Sequence, residues 1–291
     1  MSDPGGSPPE AVGNHALPLT EGHAMGDLVS VVMPNFNGAR FIDEAIRSAL
    51  AQTYGDLELI VVDDCSTDES RDIIAAHAHD DPRVRRFHHS DRLGPAAARN
   101  RAIAEARGRY IAFLDSDDMW EPSKLARQIP LHESTDCVLS YTSYQGIDEA
   151  GRALGAPVPV PPRIIYSDLL KTNAISCATA IYDTRQVGKV YMPSILRRQD
   201  YALWLRLLRG GYVAHGCPDC LARYRFYRGS LSSNKLVAAR YHWRVLRTLE
   251  HQPLLPAAYY FVHYAIKGTA KFLRWESLQP RRSTRSARNA S

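Results

Sequence analysis

The first half of the chain alternates strand-like segments with segments of helical periodicity. The strand-like segments lie at 28–33, 57–62, 84–87 and 110–114, and apolar residues at helical spacing fill the stretches between them. Short buried strands that alternate with helices are typical of a mainly parallel sheet covered on both faces. We therefore predict an α/β fold in which these four segments lie in one sheet.

The second half of the chain has a less regular pattern. Strand-like segments occur at 137–144 and 177–182, and an amphipathic helix is predicted from Asp200 to Arg209. Two terminal helices are predicted over 236–251 and 254–275. The stretches at 145–165 and 217–235 carry no pattern that points to a particular chemistry.

The net positive charge is concentrated at the carboxyl terminus. The chain has 36 Lys and Arg residues against 31 Asp and Glu residues, and residues 268–291 hold six of these cations and one anion. The rest of the chain is neutral, which argues against a nucleic-acid-binding protein. The basic segment is either a solvated tail or a tail that contacts an anionic membrane surface.

Cysteine usage and targeting signals favour a cytoplasmic protein. The five cysteines are scattered, and we find neither a signal-peptide pattern nor a long apolar run. Cys217-Pro-Asp-Cys220 is a lone CxxC, which without a second pair is more typical of a structural segment than of a zinc site. Residues 1–26 are rich in Gly, Pro, Ser and His, and we predict a disordered leader there.

Polar loops follow three of the four predicted strands. They begin with Pro34-Asn35-Phe36-Asn37, with Asp63-Asp64-Cys65-Ser66 and with Asp115-Ser116-Asp117-Asp118. Ligands of open α/β sheets bind beyond the carboxyl ends of the strands. We expect the three loops to meet at one edge of the sheet.

The last of these loops places three carboxylates among four residues. Such carboxylates repel one another and raise each other's pKa. A divalent cation would remove the repulsion, since Mg²⁺ and Mn²⁺ prefer hard oxygen ligands and take one or two carboxylates together with phosphate oxygens. Asp115 and Asp117 are the candidate ligands. The alternative is a turn or a helix cap before Glu121-Pro122, the role we expect for Asp118.

Three further sites each have a structural and a chemical interpretation. Asp63 or Asp64 could accept a hydrogen bond from a base or ribose hydroxyl, or could cap the next helix, although Ser66 is the better cap. Arg99 could reach phosphates or be a surface arginine. Asp200 could be the N-cap of its helix or a general base at the edge of the sheet.

Four segments together resemble the inverting family 2 glycosyltransferases, which share the GT-A fold. They occur in the family's order, and the similarity covers about 28–235. The segments are VVMPNFNGARFIDEAIRSALAQTY, LELIVVDDCSTDES, GPAAARNRAIAEARGRYIAFLDSDD and RRQDYALWLRLLRGGY.

A finer resemblance is to the teichuronic-acid-type glycosyltransferases of bacterial cell-surface polysaccharides. It rests on SYTSYQGIDEAG, KVYMPSILRRQDYALWLRLL, LARYRFYRGSLSSNK and YYFVHYAIKG, and extends the similarity to about 268. The implied organisation is a GT-A glycosyltransferase domain over 27–235, C-terminal helices over 236–275 and a basic tail over 276–291.

The resemblance also implies a role for each candidate residue. Phe36 and Cys65 stand where the family usually has Tyr and Gly, and Gln199 stands where an acid is common. The departure at Cys65 leaves open which of Asp63 and Asp64 contacts the base. The implied nucleotide-binding residues are Pro34, Asn35, Asn37, Asp63 or Asp64, Arg99 near the diphosphate, and Asp115 with Ser116. Asp115 and Asp117 would bind Mn²⁺ or Mg²⁺, and Asp200 would be the catalytic base.

The implied reaction is an inverting transfer from a nucleotide-diphosphate sugar, with a UDP-sugar as the favoured donor. The acceptor would be a saccharide or a lipid-linked saccharide in bacterial cell-surface polysaccharide synthesis. The alternative is a catalytically inactive nucleotide-sugar-binding or scaffold protein of the same fold. For the enzyme we expect a cytoplasmic location, either free or at the inner face of the cytoplasmic membrane.

Overall fold

A nine-stranded mixed sheet forms the centre of the protein. The structure is a computed structural model that describes residues 27–134, 137–227 and 235–278. The predicted leader, and the predicted tail beyond Leu278, lie outside these residues. The strands are β1 (Val29–Asn35), β2 (Leu57–Asp63), β3 (Val84–His88), β4 (Tyr110–Phe113), β5 (Met119–Trp120), β6 (Leu139–Ile147), β7 (Arg163–Ile164), β8 (Ile181–Asp183) and β9 (Ala214–Arg225).

Helices cover both faces of this sheet. A 3₁₀ turn at Cys177–Thr179 precedes β8, and a π-helical turn at Val245–Leu249 separates the last two helices. The helices are α1 (Ile42–Leu50), α2 (Ser70–Asp80), α3 (Pro95–Glu105), α4 (Lys124–Ser134), α5 (Tyr166–Lys171), α6 (Thr184–Val187), α7 (Gln199–Leu208), α8 (Lys235–Arg244) and α9 (Leu254–Leu278).

The sheet has a parallel half and a mixed half. The strand order is β3-β2-β1-β4-β8-β6-β9-β5, with β7 paired to β9. The first four strands are parallel, which confirms the prediction for the first half of the chain. Strand β8 is antiparallel to both β4 and β6, and β9 runs parallel to β6 and antiparallel to β5.

Strand β1 runs through Pro34, where the sequence predicts its end. The carbonyl of Val32 accepts from Leu114, and the carbonyl of Asn35 accepts from Asp64 on the other side. Backbone groups alternate in direction along a strand, so the nitrogen of Pro34 faces the side of β4. The pairing with β4 ends at Val32, so no ladder hydrogen bond is lost there.

Helix α2 begins at Ser70, although Ser66 is the predicted cap. The Ser66 hydroxyl instead donates to the carboxylate of Asp63, and the Ser66 backbone N–H donates to the same carboxylate at 3.0 Å. A cap would accept through its side-chain oxygen, and Oγ of Ser66 accepts instead from the backbone N–H of Asn37 at 2.9 Å.

Two buried clusters lie on the two faces of the sheet. Val32 and Phe113 belong to the cluster shared with α3, α7 and the C-terminal helices, whereas Val31 and Ala112 belong to the cluster shared with α1, α2 and α4. Trp204 of α7 packs edge-on against Phe113, with 5.4 Å between ring centroids. Among the described helices, none is long and apolar enough to cross a membrane.

Candidate active site

The loops after β1 and β4 lie in direct contact. A side chain on Gly38 would place its first carbon 2.3 Å from Oδ1 of Asn35 and 3.2 Å from Oγ of Ser116. Only glycine leaves room for this approach. The predicted meeting of the polar loops at one edge of the sheet is therefore observed for Asn35 and Ser116.

Asp63 joins the first loop to the second. Its Oδ1 accepts from Nδ2 of Asn35 at 2.8 Å and from the Ser66 hydroxyl, and its Oδ2 accepts from Nε of Arg71 at 2.8 Å. Burial alone would raise the pKa of this carboxyl, but the bonds from Ser66, Arg71 and Asn35 hold the pKa below its ordinary value. The carboxylate is ionised, and the Ser66 backbone N–H takes its fourth acceptor position.

Asp64 anchors the loop that precedes α3. Its Oδ1 accepts from the backbone N–H of Leu93 at 2.9 Å and lies 2.8 Å from Nδ1 of His89. Its Oδ2 accepts one bond, from the backbone N–H of Gly94 at 2.7 Å. A carboxylate oxygen can accept two hydrogen bonds, so Oδ2 of Asp64 keeps capacity for another donor.

The segment 34–37 also contains a residue in the left-handed conformation and an exposed aromatic ring. Asn37 adopts a left-handed conformation with φ of 49°, and its Oδ1 accepts from the backbone N–H of Thr67 at 2.9 Å. Pro34 is buried, whereas Phe36 is exposed. The guanidinium of Arg92 lies 3.8 Å from the centroid of the Phe36 ring.

Asp118 holds the turn after β4, the structural role expected for it. Its backbone N–H donates to the carbonyl of Asp115 at 3.1 Å, and its Oδ1 accepts from the backbone N–H of Arg225 at 2.9 Å. Helix α4 begins only at Lys124, so Asp118 lies well before the first turn of that helix. Burial and the charges of Asp117 and Asp115 raise its pKa well above the ordinary value.

Arg225 of β9 fastens this turn to the rest of the protein. Its Nε donates to the carbonyl of Asp117 at 2.9 Å, and its Nη2 lies 2.6 Å from Oε2 of Glu44 on α1. Its Nη1 donates to the carbonyls of Asp148 and Glu149. A single buried arginine therefore satisfies three carbonyls and one carboxylate from distant segments.

The carboxyl group of Asp117 is harder to ionise in the folded protein than in water. Burial and the neighbouring charge of Asp115 raise the pKa of Asp117 to about 6, against a hydrogen bond from Tyr227 that lowers it. Asp115 and Asp117 are two carboxylates in an anionic turn, a donor set suited to a hard divalent cation. The described residues contain no ready group of three or more His, Cys, Asp or Glu ligands, so phosphate oxygens would have to complete the coordination.

Arg99 connects this turn to the start of α7. Its guanidinium forms an ion pair through Nη2 with Oδ1 of Asp115, and its Nη1 donates to Oε1 of Gln199 at 3.1 Å. Burial would lower the pKa of Arg99, but the charges of Asp115 and Asp200 and the hydrogen bond that Arg99 donates to Asp115 raise it. The side chain is buried, so the surface-arginine interpretation is wrong.

Asp200 lies in the first turn of α7 and is not its N-cap. The helix begins at Gln199, and the N-cap is Arg198 in a left-handed conformation with φ of 65°. The capping interpretation of Asp200 is therefore wrong. Arg99 brings Asp200 and Asp115 into one electrostatic cluster, although 85 positions of sequence separate them.

Sequence patterns miss four residues of this site. Gln199 adjoins a predicted base, but nothing in the sequence pairs it with Arg99. The other three are one residue of the segment predicted as a strand at 177–182 and two residues of the 217–235 stretch, which has no readable pattern. They are Cys177, whose thiol pKa is raised by burial and by the charge of Asp115, the clamp residue Arg225, and Tyr227, which hydrogen-bonds Asp117.

Comparison with known families identifies the class of protein. The sequence profile of glycosyl transferase family 2 matches residues 30–184, more than half of the chain. The chain belongs to this family, which confirms the predicted resemblance and the predicted glycosyltransferase function.

Similar proteins are described as glycosyltransferases of bacterial cell-surface polysaccharide synthesis. The Bacillus subtilis protein TuaG, assigned to teichuronic acid biosynthesis as a glycosyltransferase, is 40% identical over 84% of this chain and 98% of its own length. The Escherichia coli protein WfgD is 34% identical over 84% of this chain and 94% of its own length. WfgD is a UDP-Glc:α-D-GlcNAc-diphosphoundecaprenol β-1,3-glucosyltransferase.

Solved structures of similar shape confirm the GT-A fold. TarS of S. aureus in complex with UDP-GlcNAc has a TM-score of 0.63 at 21% identity, over 76% of this chain and 64% of that chain. The mannosyltransferase PcManGT of Pyrobaculum calidifontis, in complex with GDP-Man and Mn²⁺, has a TM-score of 0.59 at 20% identity, over 81% of this chain and 70% of that chain. The chain thus spans about three fifths to seven tenths of these solved chains.

Proposed function

We propose that this glycosyltransferase moves glucose from UDP-glucose to a lipid-linked saccharide diphosphate, with inversion at the anomeric carbon. One observation carries the proposal: Arg99 contacts Asp115 on one side and Gln199, the neighbour of Asp200, on the other. The residues suited to a diphosphate and the residue suited to a base therefore share one cluster. The choice of donor and acceptor is supported by the similarity to WfgD. The glucose of UDP-glucose is α-linked, whereas WfgD forms a β-linkage, so the same transfer by this protein would invert the anomeric carbon.

Asp200 is the base of the proposed reaction. The acceptor oxygen forms a bond to the anomeric carbon while the bond from that carbon to the UDP oxygen breaks. The acceptor proton passes to the carboxylate of Asp200. A positioned general base contributes about 10²–10⁴-fold to such a step, so positioning of both substrates must supply the rest.

Asp115 and Asp117 are the proposed ligands of Mn²⁺ or Mg²⁺. The bound ion would neutralise charge that develops on the departing diphosphate. Arg99 has the same electrostatic effect from the side of α3, because its guanidinium is buried and its pKa is raised. The repulsion between these two carboxylates supports the metal assignment, since the pKa of Asp117 is raised by burial and by the charge of Asp115 and a bound cation would relieve that repulsion.

Asp64, rather than Asp63, is the proposed contact of the uracil N3–H. All four acceptor positions of Asp63 are taken by Asn35, Ser66 and Arg71. Among the residues that the structure describes, Oδ2 of Asp64 accepts a bond from Gly94 alone. Pro34, Asn35 and Asn37 would shape the base site, and Ser116 would lie beside Asp115 near the ribose.

Helix α9 is the proposed contact with the membrane that holds the lipid-linked acceptor. Its exposed face carries Leu255, Tyr259, Val262 and Ile266, which are between 54% and 82% exposed. Their separations of four, three and four residues place them on one side of the helix. The six cations of residues 268–291 follow directly along the chain and complement an anionic lipid surface.

A vesicle assay tests this surface. Wild-type protein should co-sediment with phosphatidylglycerol vesicles at low salt, and Ile266→Asp should reduce the bound fraction at least threefold. Ala76→Asp places the same charge at an exposed position of α2 and should bind as wild type does. Equal binding by Ile266→Asp and wild type would exclude the α9 face as the contact.

A turnover assay tests the reaction itself. Wild-type protein with UDP-glucose, Mn²⁺ and a short-chain GlcNAc-diphospholipid should release UDP and form a disaccharide lipid, and EDTA should abolish both. UDP-glucose that binds but is never consumed would favour the scaffold interpretation. Full turnover in EDTA would exclude the metal at Asp115 and Asp117.

A further inference from the structure

A residue of the C-terminal helix contacts the segment that leads into the proposed base. Nη2 of Arg198 donates to the hydroxyl of Tyr264 at 2.6 Å, and the Arg198 guanidinium carbon lies 5.4 Å from the centroid of the Tyr264 ring. Arg198 is separated from Asp200 by Gln199 alone. Tyr264 belongs to α9, and 66 positions of sequence lie between the two partners.

Arg198 has a backbone conformation that needs outside support. Its φ of 65° is in the left-handed region, which costs a non-glycine residue free energy. Such a conformation persists only where the surroundings determine it. Arg198 is the N-cap of α7 and has no side-chain capping bond, and its side chain is held instead by the contact with Tyr264.

A stacked column of three rings holds Tyr264 in place. The ring of His242 on α8 lies 3.9 Å from that of Tyr264 at an interplanar angle of 13°, and 4.7 Å from that of Tyr201 at 19°. His242 is fully buried, and burial lowers its pKa to about 3, so the ring is neutral. Tyr201 directly follows Asp200 and donates to the carbonyl of Leu169 at 3.0 Å.

We propose that Tyr264 is a positioning residue for Asp200. It holds Arg198 on one side of Asp200 through its hydroxyl, and it braces Tyr201 on the other side through the ring of His242. The first turn of α7 is thereby fixed relative to Arg99 and Asp115. This inference rests on the proposed role of Asp200 as the base, because Tyr264 acts on the reaction only through that carboxylate.

The variant Tyr264→Phe separates positioning from folding. It keeps the ring in the column and removes only the hydroxyl that accepts from Arg198. With UDP-glucose, Mn²⁺ and a short-chain acceptor in detergent, kcat should fall by about tenfold, since small displacements of a reacting group cost one to two orders of magnitude. The KM for UDP-glucose should stay within twofold, because Tyr264 lies on α9 whereas the proposed donor loops follow β1, β2 and β4.

Tyr260→Phe is the matched control, since it removes a hydroxyl from a half-buried tyrosine of the same helix. It should leave kcat and the thermal midpoint unchanged. Arg198→Gln should lower kcat as Tyr264→Phe does, and the double variant should lose no more than the larger single loss. Such non-additivity is the signature of two residues that act through one contact.

Three outcomes would overturn the inference. They are wild-type kcat for Tyr264→Phe, losses that multiply in the double variant, and an equal loss for Tyr260→Phe. Asp200→Asn in the same assay distinguishes this failure from failure of the proposed function. Full turnover by Asp200→Asn refutes the base and the inference together, whereas its loss beside an active Tyr264→Phe refutes the positioning role alone.

Discussion

The parallel half of the sheet and the mixed half build their parts of the site differently. In the parallel half, Asp63 binds Ser66 and Arg71, which lie within eight positions of it. In the mixed half, Arg225 reaches Glu44 across 181 positions, and Arg198 reaches Tyr264 across 66. The loop after β2 is thus held largely by local contacts, whereas long-range contacts hold the turn after β4 and the start of α7.

This difference predicts that the two halves fail in different ways when altered. Changes at the strand ends of β1, β2 and β4 should affect binding of the nucleotide and the metal. Changes at α7 and at the contacts of β9 should affect turnover or folding. The following predictions run from the largest expected effect to the smallest.

Asp200→Asn should abolish most of the activity and leave donor binding intact. The amide cannot accept the acceptor proton, so we expect kcat to fall by about 10²–10⁴-fold. Calorimetric titration with UDP and Mn²⁺ should give the wild-type affinity, because the proposed base acts on the acceptor hydroxyl and not on the nucleotide. A matching loss of UDP affinity would place Asp200 in the donor site and break the division between the halves.

Arg225→Ala should be the most destabilising change near the site. It leaves the carbonyls of Asp117, Asp148 and Glu149 without their donor and removes the partner of Glu44. We expect the free energy of unfolding to fall by about 3 kcal/mol in urea denaturation. Arg223→Ala, two residues earlier, removes a half-exposed ion pair with Glu121 and should cost less than about 1 kcal/mol. An equal loss of unfolding free energy in the two variants would show that the burial of Arg225 does not contribute to stability.

The sequence predicts the parallel half well because its signals are local. Strands β2 and β4 each have a clear apolar pattern, and an acid stands at or just after the end of each. The pattern alone therefore places Asp63 and Asp115 at one edge of the sheet. Strand β9 gives no such signal, because its buried positions do not alternate and its pairing with β6 is interrupted at Thr142 and Ser143. The contacts of Arg225 and Tyr264 depend on tertiary packing, which no local pattern encodes.

Asp64→Asn should weaken nucleotide binding about tenfold. The amide that replaces the carboxylate changes an acceptor beside Gly94 into a donor and disturbs the proposed contact with uracil. Titration with UDP and with ADP should show a loss confined to UDP. Asp91→Asn, at an exposed position of the same loop, serves as the control and should bind UDP normally.

Asp117→Asn should stabilise the metal-free protein at neutral pH although it inactivates the enzyme. The pKa of Asp117 is raised from 3.8 to about 6, so the folded protein binds the proton more tightly than the unfolded chain does. Wild-type stability therefore decreases as pH rises from about 4 to about 6, and the asparagine variant lacks this decrease. We expect a gain of up to about 3 kcal/mol above pH 6 that vanishes below pH 4.

Urea denaturation in EDTA at pH 4 and pH 7.5 measures this gain. Addition of Mn²⁺ with UDP should reverse it, because the ligands stabilise only the wild-type carboxylate pair. A variant that is less stable than wild type at pH 7.5 would contradict the view that crowding at Asp115 and Asp117 opposes ionisation.

The stereochemistry of the product tests the central claim most directly. Wild-type protein would be supplied with UDP-glucose labelled with ¹³C at the anomeric carbon, with Mn²⁺ and with a short-chain GlcNAc-diphospholipid. Inverting transfer across the Arg99 cluster predicts a β-linked product, read from the one-bond carbon–proton coupling of the labelled carbon. An α-linked product would contradict the single in-line displacement with Asp200 as its base.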